Sequence, residues 1–206
     1  MSARLARVAP IELVGRRVRL RSLSESDYDA WYRVRSRCRE WLVPWEPRPA
    51  GAPHVAEDRA SFAVRCLARE RERQLGGGYG FGIFLWDALV GEVTLSSIQR
   101  GPFQNAFVGY WVDRDYAGQG IVPEAVVVVL RFAFDTLALH RIEISIIPRN
   151  HASRRVVEKL GLRSEGVAVR FLEINERWED HMRFAITAEE WAERRGELIR
   201  SWLAPV

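Results

Sequence analysis

The stretch Gly109–Ala125, reading GYWVDRDYAGQGIVPEA, constrains this chain more than any other. Ala106–Val112 is rich in aromatic and β-branched residues and predicts a strand. A short loop with Gly118 and Gly120 follows, and a helix over Ile121–Leu137 begins at once. Pro123 lies in its first turn, where a missing N–H costs nothing. Glycines there let the backbone approach a ligand without a Cβ in the way. The first N–H groups of a helix lack internal acceptors and carry partial positive charge, which suits an anion such as a pyrophosphate. A bare GxG also reads as a structural turn. No Gly-Lys-Ser/Thr follows, so this is not a Walker loop, and GxGxxG is absent, so it is not the dinucleotide fingerprint.

The surrounding pattern predicts one domain over residues 1–206, an α/β fold whose mixed sheet is covered by helices. Val14–Leu23 alternates as a strand, and Ser24 with Asp27 opens a helix running to about Arg37. Leu42–Pro53 is broken by Pro44, Pro47, Pro49, Gly51 and Pro53 and predicts a loop. A charged amphipathic helix over Glu57–Gln74 stops at the triplet Gly76–Gly78. Strands are expected at Tyr79–Trp86 and Leu89–Ile98, joined at Asp87-Ala88, then at Arg141–Ile147, Val167–Ile174 and Arg177–Ile186. Helices are expected over Ala152–Leu160 and Ala188–Leu203.

Composition narrows the function classes. With 48% hydrophobic and 28% charged residues, the chain has the makings of a real core. Its longest apolar run, Ala125–Leu130, is far short of the roughly 20 residues of a membrane span, and Met1–Pro10 has no apolar signal region. Cys38 and Cys66 form neither a disulfide framework nor a zinc site, which points to a reducing, cytoplasmic setting. Four scattered histidines give no metal spacing. The net charge is +4, and 30 of the 31 basic residues are arginine, Lys159 being the exception. That bias reflects either codon usage or an anion-binding surface, and it does not demand nucleic acid.

In this setting the order strand, GxG loop, helix, strand and then Asn150-x-x-Ser153 resembles the GNAT N-acetyltransferases. Their acetyl-CoA signature, Gln/Arg-x-x-Gly-x-Gly/Ala, is matched by Ala117, Gly118, Gln119, Gly120, Ile121 and Val122, with Ala117 and Val122 departing from it. Pro44-Trp45-Glu46-Pro47, Arg100-Gly101-x-Phe103, Gly109-Tyr110, Leu160-Gly161-Leu162, Glu165-Gly166 and Trp178-x-Asp180-His181 are similar to the ribosomal-protein-alanine branch, of RimJ and RimL type and RimJ above all. The likeness covers about residues 14–190. It implies a mostly antiparallel sheet of about seven strands with a splayed pair for acetyl-CoA.

The resemblance also implies transfer of acetyl to a primary amine, with a protein N-terminus (alanine or serine, possibly ribosomal) as partner. A small-molecule amine, or a non-catalytic acyl-CoA or RNA-binding module, is the alternative. Backbone near Trp111 and Val112 is expected to support the oxyanion, and Asn150 to cap a helix or bond pantetheine. Ser153 is expected to serve the leaving thiol, and Glu46 to take the amine proton, with Glu92 and then His181 as rivals. Trp31, Trp41 and Trp45 with Leu42 read as core or as an acceptor wall. Arg149, Arg154 and Arg155 read as CoA-phosphate contacts or as solvated charges. Nothing in the sequence chooses between a monomer and a homodimer.

Overall fold

The computed structural model describes residues 11–47 and 58–204. Its eight strands form one sheet in the order β1-β2-β3-β4-β5-β6-β8-β7. They are β1 (Glu12–Val14), β2 (Val18–Arg21), β3 (Tyr79–Leu85), β4 (Ala88–Gln99), β5 (Asn105–Val112), β6 (Arg141–Ile146), β7 (Arg163–Ile174) and β8 (Arg177–Thr187). The helices are α1 (Tyr28–Arg37), α2 (Arg39–Leu42), α3 (Arg59–Gln74), α4 (Ile121–Arg131), α5 (His151–Lys159) and α6 (Ala188–Trp202). Every strand pair is antiparallel except β5 with β6.

The differences from the sequence reading have local causes. There are eight strands rather than seven, because Gly15 lets the chain fold back and β1 pairs with β2 where one strand was expected. The β3–β4 turn is Trp86-Asp87 rather than Asp87-Ala88, since Leu85 pairs with Ala88 and Trp86 takes φ 56°. The expected loop from Leu42 begins with a helical turn, Val43–Trp45, and its residues 48–53, like the expected helix start at Glu57, lie outside the described ones. The helix expected over Ile121–Leu137 stays α-helical to Arg131 and widens into a π turn over Phe132–Thr136. β7 starts at Arg163, four residues before the expected Val167, and its ladder shifts register at two points. The hairpin at Asn175-Glu176 is as expected, with φ of 49° and 65°, the two positive values of a tight type I′ turn.

Two apolar layers flank the sheet. On one face, Val93, Leu95, Ala106, Val108, Ile142 and Ile144 pack against α4, which is buried throughout Ile121–Leu130. On the other, Trp31 of α1 and Phe62 of α3 cover Phe84 and Leu89.

One charge is enclosed in the first layer. Glu124, fully buried in the first turn of α4, accepts hydrogen bonds from the Arg17 and Val18 backbone N–H groups and from Arg17 Nε at 2.9 Å. Gly15 makes room for it, since a Cβ there would come within 2.8 Å of Glu124 Oε1. Arg17 Nη1 also donates to Gln119 O at 3.1 Å, so this carboxylate ties β2 to the glycine loop. Glu124→Gln turns one acceptor into a donor facing donors. It is expected to cost about 2–3 kcal/mol, read as a lower urea midpoint at unchanged slope.

Candidate active site

The parallel β5–β6 ladder runs only from Asn105–Arg141 to Phe107–Glu143. Beyond it, β5 continues to Val112 and β6 to Ile146 with no pairing between them. The gap opens a cleft of about 990 Å³, which the glycine loop, α5, the β7–β8 hairpin, α3 and the stretch from Trp41 to Pro47 also line. That is the volume of a site for a sizeable organic ligand.

The glycine loop forms one end. Gly118 and Gly120 both take φ 79°, a left-handed conformation that only glycine adopts freely. Gly120 is the N-cap of α4, and Ala117, Gly118, Gly120, Ile121 and Val122 all line the cleft. Gln119 is turned away and anchored through its side chain to Asp115 O at 2.8 Å. Asp113, buried at the end of β5, braces this loop by accepting from Arg37, the Cys38 thiol and the Asp115 N–H. Burial pushes the Cys38 thiol pKa up.

At the middle of the gap, Asn150 caps α5 by accepting the Ser153 N–H at 3.1 Å. Ser153 Oγ lies 3.0 Å from the Tyr110 hydroxyl, which in turn donates to Ser153 O at 3.2 Å. Tyr110 crosses from β5 to α5 where the ladder has ended, and burial raises its pKa further above neutral, so its proton stays on. The sequence reading singled out Gly109-Tyr110 as a motif and gave Tyr110 no role. The GY pair on a strand was the available signal.

The far end is built on charges held by arginines. Glu46 is bidentate with Arg35, one bond being 3.0 Å, and Arg35 stacks 5.5 Å from Trp111. Glu92, buried on β4, accepts from Trp31 Nε1 at 2.9 Å and from Arg65. His181 is buried, with Nδ1 2.9 Å from Glu179 O and its ring against Phe171. All three of Glu46, Glu92 and His181 line the cleft.

The tryptophans divide. Trp31 is core, whereas Trp41 and Trp45 line the cleft, Trp41 donating to Val112 O at 3.2 Å. The arginines divide too. Arg149 is bidentate with Glu179 at 2.6 and 2.8 Å and stacks on Trp45, and it holds the Glu179 carboxyl below the usual range. Arg154 reaches Pro148 O and Glu158. Of the three, Arg155 faces the cleft, joined one turn later by Lys159, which the sequence reading left unassigned.

A family model described as an acetyltransferase (GNAT) domain matches residues 17–163, and the chain belongs to that family. It is 37% identical over 177 residues to the Bacillus subtilis (strain 168) protein named probable N-acetyltransferase YjcK, spanning 84% of this chain and 96% of that one. It is 30% identical over 180 residues to the [ribosomal protein uS5]-alanine N-acetyltransferase of Escherichia coli (strain K12), covering 82% and 88% of the two. Among solved structures, Mycobacterium smegmatis RimJ in complex with CoA-disulfide superposes with a TM-score of 0.84 at 32% identity, over 96% of this chain and 95% of the other. Within the family the chain stands in the RimJ-like branch. It is an N-acetyltransferase, and acetyl-CoA is its acetyl donor.

The cleft fits that donor. It offers left-handed glycines feeding a helix N-terminus, a strand gap, cations at Arg155 and Lys159, and a buried Ser145 Oγ that has no partner among the described residues. At Gly120 a Cβ would sit 3.3 Å from both Arg17 Nη2 and a Trp202 ring carbon. Gly120→Ala is therefore expected to lose about 1–2 kcal/mol of stability for the left-handed backbone. Its acetyl-CoA dissociation constant is expected to rise at least about tenfold, measured by titration calorimetry on the folded fraction. An unchanged constant would remove Gly120 from the donor site.

Proposed function

We propose that the chain works as one catalytic domain that acetylates a protein N-terminus, alanine or serine first among them, in a cytoplasmic setting. The observation that carries this is a cleft lined by both faces of β5, with the glycine loop at one end and Trp41, Trp45, Glu46 and Glu92 at the other. The 30% identity to a ribosomal-protein-alanine enzyme supports the choice of acceptor.

Acetyl-CoA supplies the activated thioester carbonyl, and the chain's own groups handle charge and protons around it. Strand alternation divides Trp111 from Val112. The Asp113 N–H bonds back to Val90 O on β4, so Trp111 also turns its N–H toward β4, while Val112 and Tyr110 turn theirs into the gap. Those two N–H groups are the donors for charge developing on the reacting carbonyl oxygen.

Two carboxylates flank the acceptor amine. Glu46, with both oxygens on Arg35, holds the incoming ammonium and fixes its loop. Glu92, with one oxygen on a neutral indole and the other on Arg65, takes the amine proton through water. The sequence favours Glu46 for this step with Glu92 as its rival; the roles are exchanged here because Glu46 gives both oxygens to one guanidinium, whereas Glu92 shares its oxygens between Arg65 and the Trp31 indole. Ser153 and Tyr110 steady the departing thiolate with hydroxyl hydrogen bonds, Tyr110 keeping its own proton throughout the neutral range.

Turnover of acetyl-CoA with Ala- and Ser-starting peptides tests the reading, and turnover with small amines alone would overturn it. Glu92→Gln is expected to lower kcat by about 10²-fold near neutral pH. Part of that loss returns at high pH, because the α-amine, with a pKa near 8, is then already neutral. Glu46→Gln is expected to act on acceptor KM. Tyr110→Phe and Ser153→Ala are expected to lower kcat by about tenfold or more at every pH from about 6 to 9. A flat profile is the expected sign, because neither hydroxyl titrates in that range. Stopped pH–rate profiles for the four variants separate these roles.

A further inference from the structure

Two glycines of the β4–β5 ladder, Gly91 opposite Val112 and Gly109 opposite Thr94, serve opposite purposes. At Gly91 a Cβ would drive into the Trp111 backbone, so that glycine permits close strand contact. At Gly109 a Cβ would meet nothing within 4 Å, and the backbone there is not left-handed. Neither strain nor crowding accounts for glycine at this position. What it leaves is space.

That space has a definite shape. Strand alternation places Phe107, Gly109 and Trp111 on one face of β5. Tyr110, between them, packs on the opposite face with the main core and reaches Ser153. Gly109 is therefore the floor of a notch between two aromatic side chains, directly behind the residue that meets the thiol end. Thr94 and Ser96 of β4, paired with Gly109 and Phe107, add polar groups along one side, and all five residues line the cleft. Both walls are braced from outside. Arg35 sits 5.5 Å from the Trp111 ring and is ion-paired to Glu46. Arg183 sits 5.9 Å from the Phe107 ring and 4.7 Å from the Phe171 ring, and it is ion-paired to buried Glu143. Two rings fixed by paired guanidiniums keep the notch from collapsing into the vacancy glycine leaves.

Resting on the protein N-terminus reading above, we infer that Gly109 sets acceptor specificity. The notch receives the side chain of the acceptor's first residue, and Thr94 and Ser96 bond the peptide or a first-residue hydroxyl. The acceptor class is an N-terminus with a small apolar or hydroxyl-bearing first side chain. A hydrophobic notch discriminates by about tenfold or more for each group it must exclude. Narrowing its floor thus penalises acceptors in order of first-residue size.

The test is steady-state kinetics on peptides identical except for a first residue of Gly, Ala, Ser or Thr, with wild type, Gly109→Ala and Gly109→Val. The ratio of kcat/KM for the Gly-starting to the Thr-starting peptide is expected to rise at least about tenfold in Gly109→Val and less in Gly109→Ala. Acetyl-CoA affinity, measured by calorimetry, keeps its wild-type value. Gly109→Ala places one methyl in open space, so it preserves the test if the valine variant misfolds. An equal loss across the series, or no loss, overturns the proposal, as does a matching loss of acetyl-CoA affinity. If wild type acetylates no peptide, the N-terminus reading fails by itself. The same variants run on primary amines of increasing α-substituent size then decide the notch separately. A wild-type enzyme inert toward both series overturns both.

Discussion

A buried carboxylate at the start of the central helix organises the rest of the molecule. Glu124 has no exposure, and its environment is tolerable because Arg17 and two backbone N–H groups converge on it. An uncompensated charge at that depth would cost several kcal/mol. The first edge of the sheet and the N-terminus of α4 are thereby fixed to each other. Arg17 then extends the tie to Gln119 O, so the loop with its two left-handed glycines on either side of Gln119 is held by the protein's own contacts rather than by the ligand. The loop is preorganised. Its N–H groups are set for an anion, with little ordering left to do on binding.

Legibility in the sequence followed the range of the interactions. The strand, GxG loop and helix from Ala106 to Leu130 were readable because glycine, proline and periodicity act locally. The type I′ turn at Asn175-Glu176 was readable for the same reason. The β1–β2 fold-back was not, because Gly15 interrupts an alternation whose other positions are intact, and its reason for being glycine is Glu124, more than a hundred residues away. The site divides the same way. The loop residues lie where the motif put them. The partners that set the behaviour of Glu46, Glu92 and Arg149 come from other elements, namely Arg35, Arg65 with Trp31, and Glu179. Arg149 could be read as a phosphate contact or as a solvated charge, because a surface arginine beside a helix start looks the same whether or not a distant glutamate claims it. Tyr110 went unassigned because its partner lies 43 residues along the chain.

The arginine-rich composition also has a different meaning in the folded chain. Many of these guanidiniums are committed to internal pairs, among them Arg21 with Asp27, Arg35 with Glu46, Arg163 with Glu165 and Glu190, and Arg183 with Glu143. Several also lie over aromatic rings, as Arg21 does over Phe84 at 4.0 Å. A planar fork can pair a carboxylate and stack on a ring at once, which an ammonium does poorly. The exposed pairs contribute little to stability individually. Those at the cleft position its aromatic walls and carboxylates, which matters more for geometry than for net stability.

The short parallel zip between β5 and β6 has a consequence for traffic through the enzyme. Three residue pairs join the strands and then they part, so the gap is a passage through the sheet rather than a pit in its surface. On the reading proposed above, donor and acceptor would meet in that gap, and neither would have to leave before the other arrived. Direct handover would suit such a passage, with no stop on a side chain between donor and acceptor. For the protein acceptor proposed above, the passage also sets the form in which it would have to arrive. Its folded bulk would stay outside and a few residues would enter end first, so a chain with a loose, extended N-terminus would be served, and one whose first residues are packed into its own structure would not.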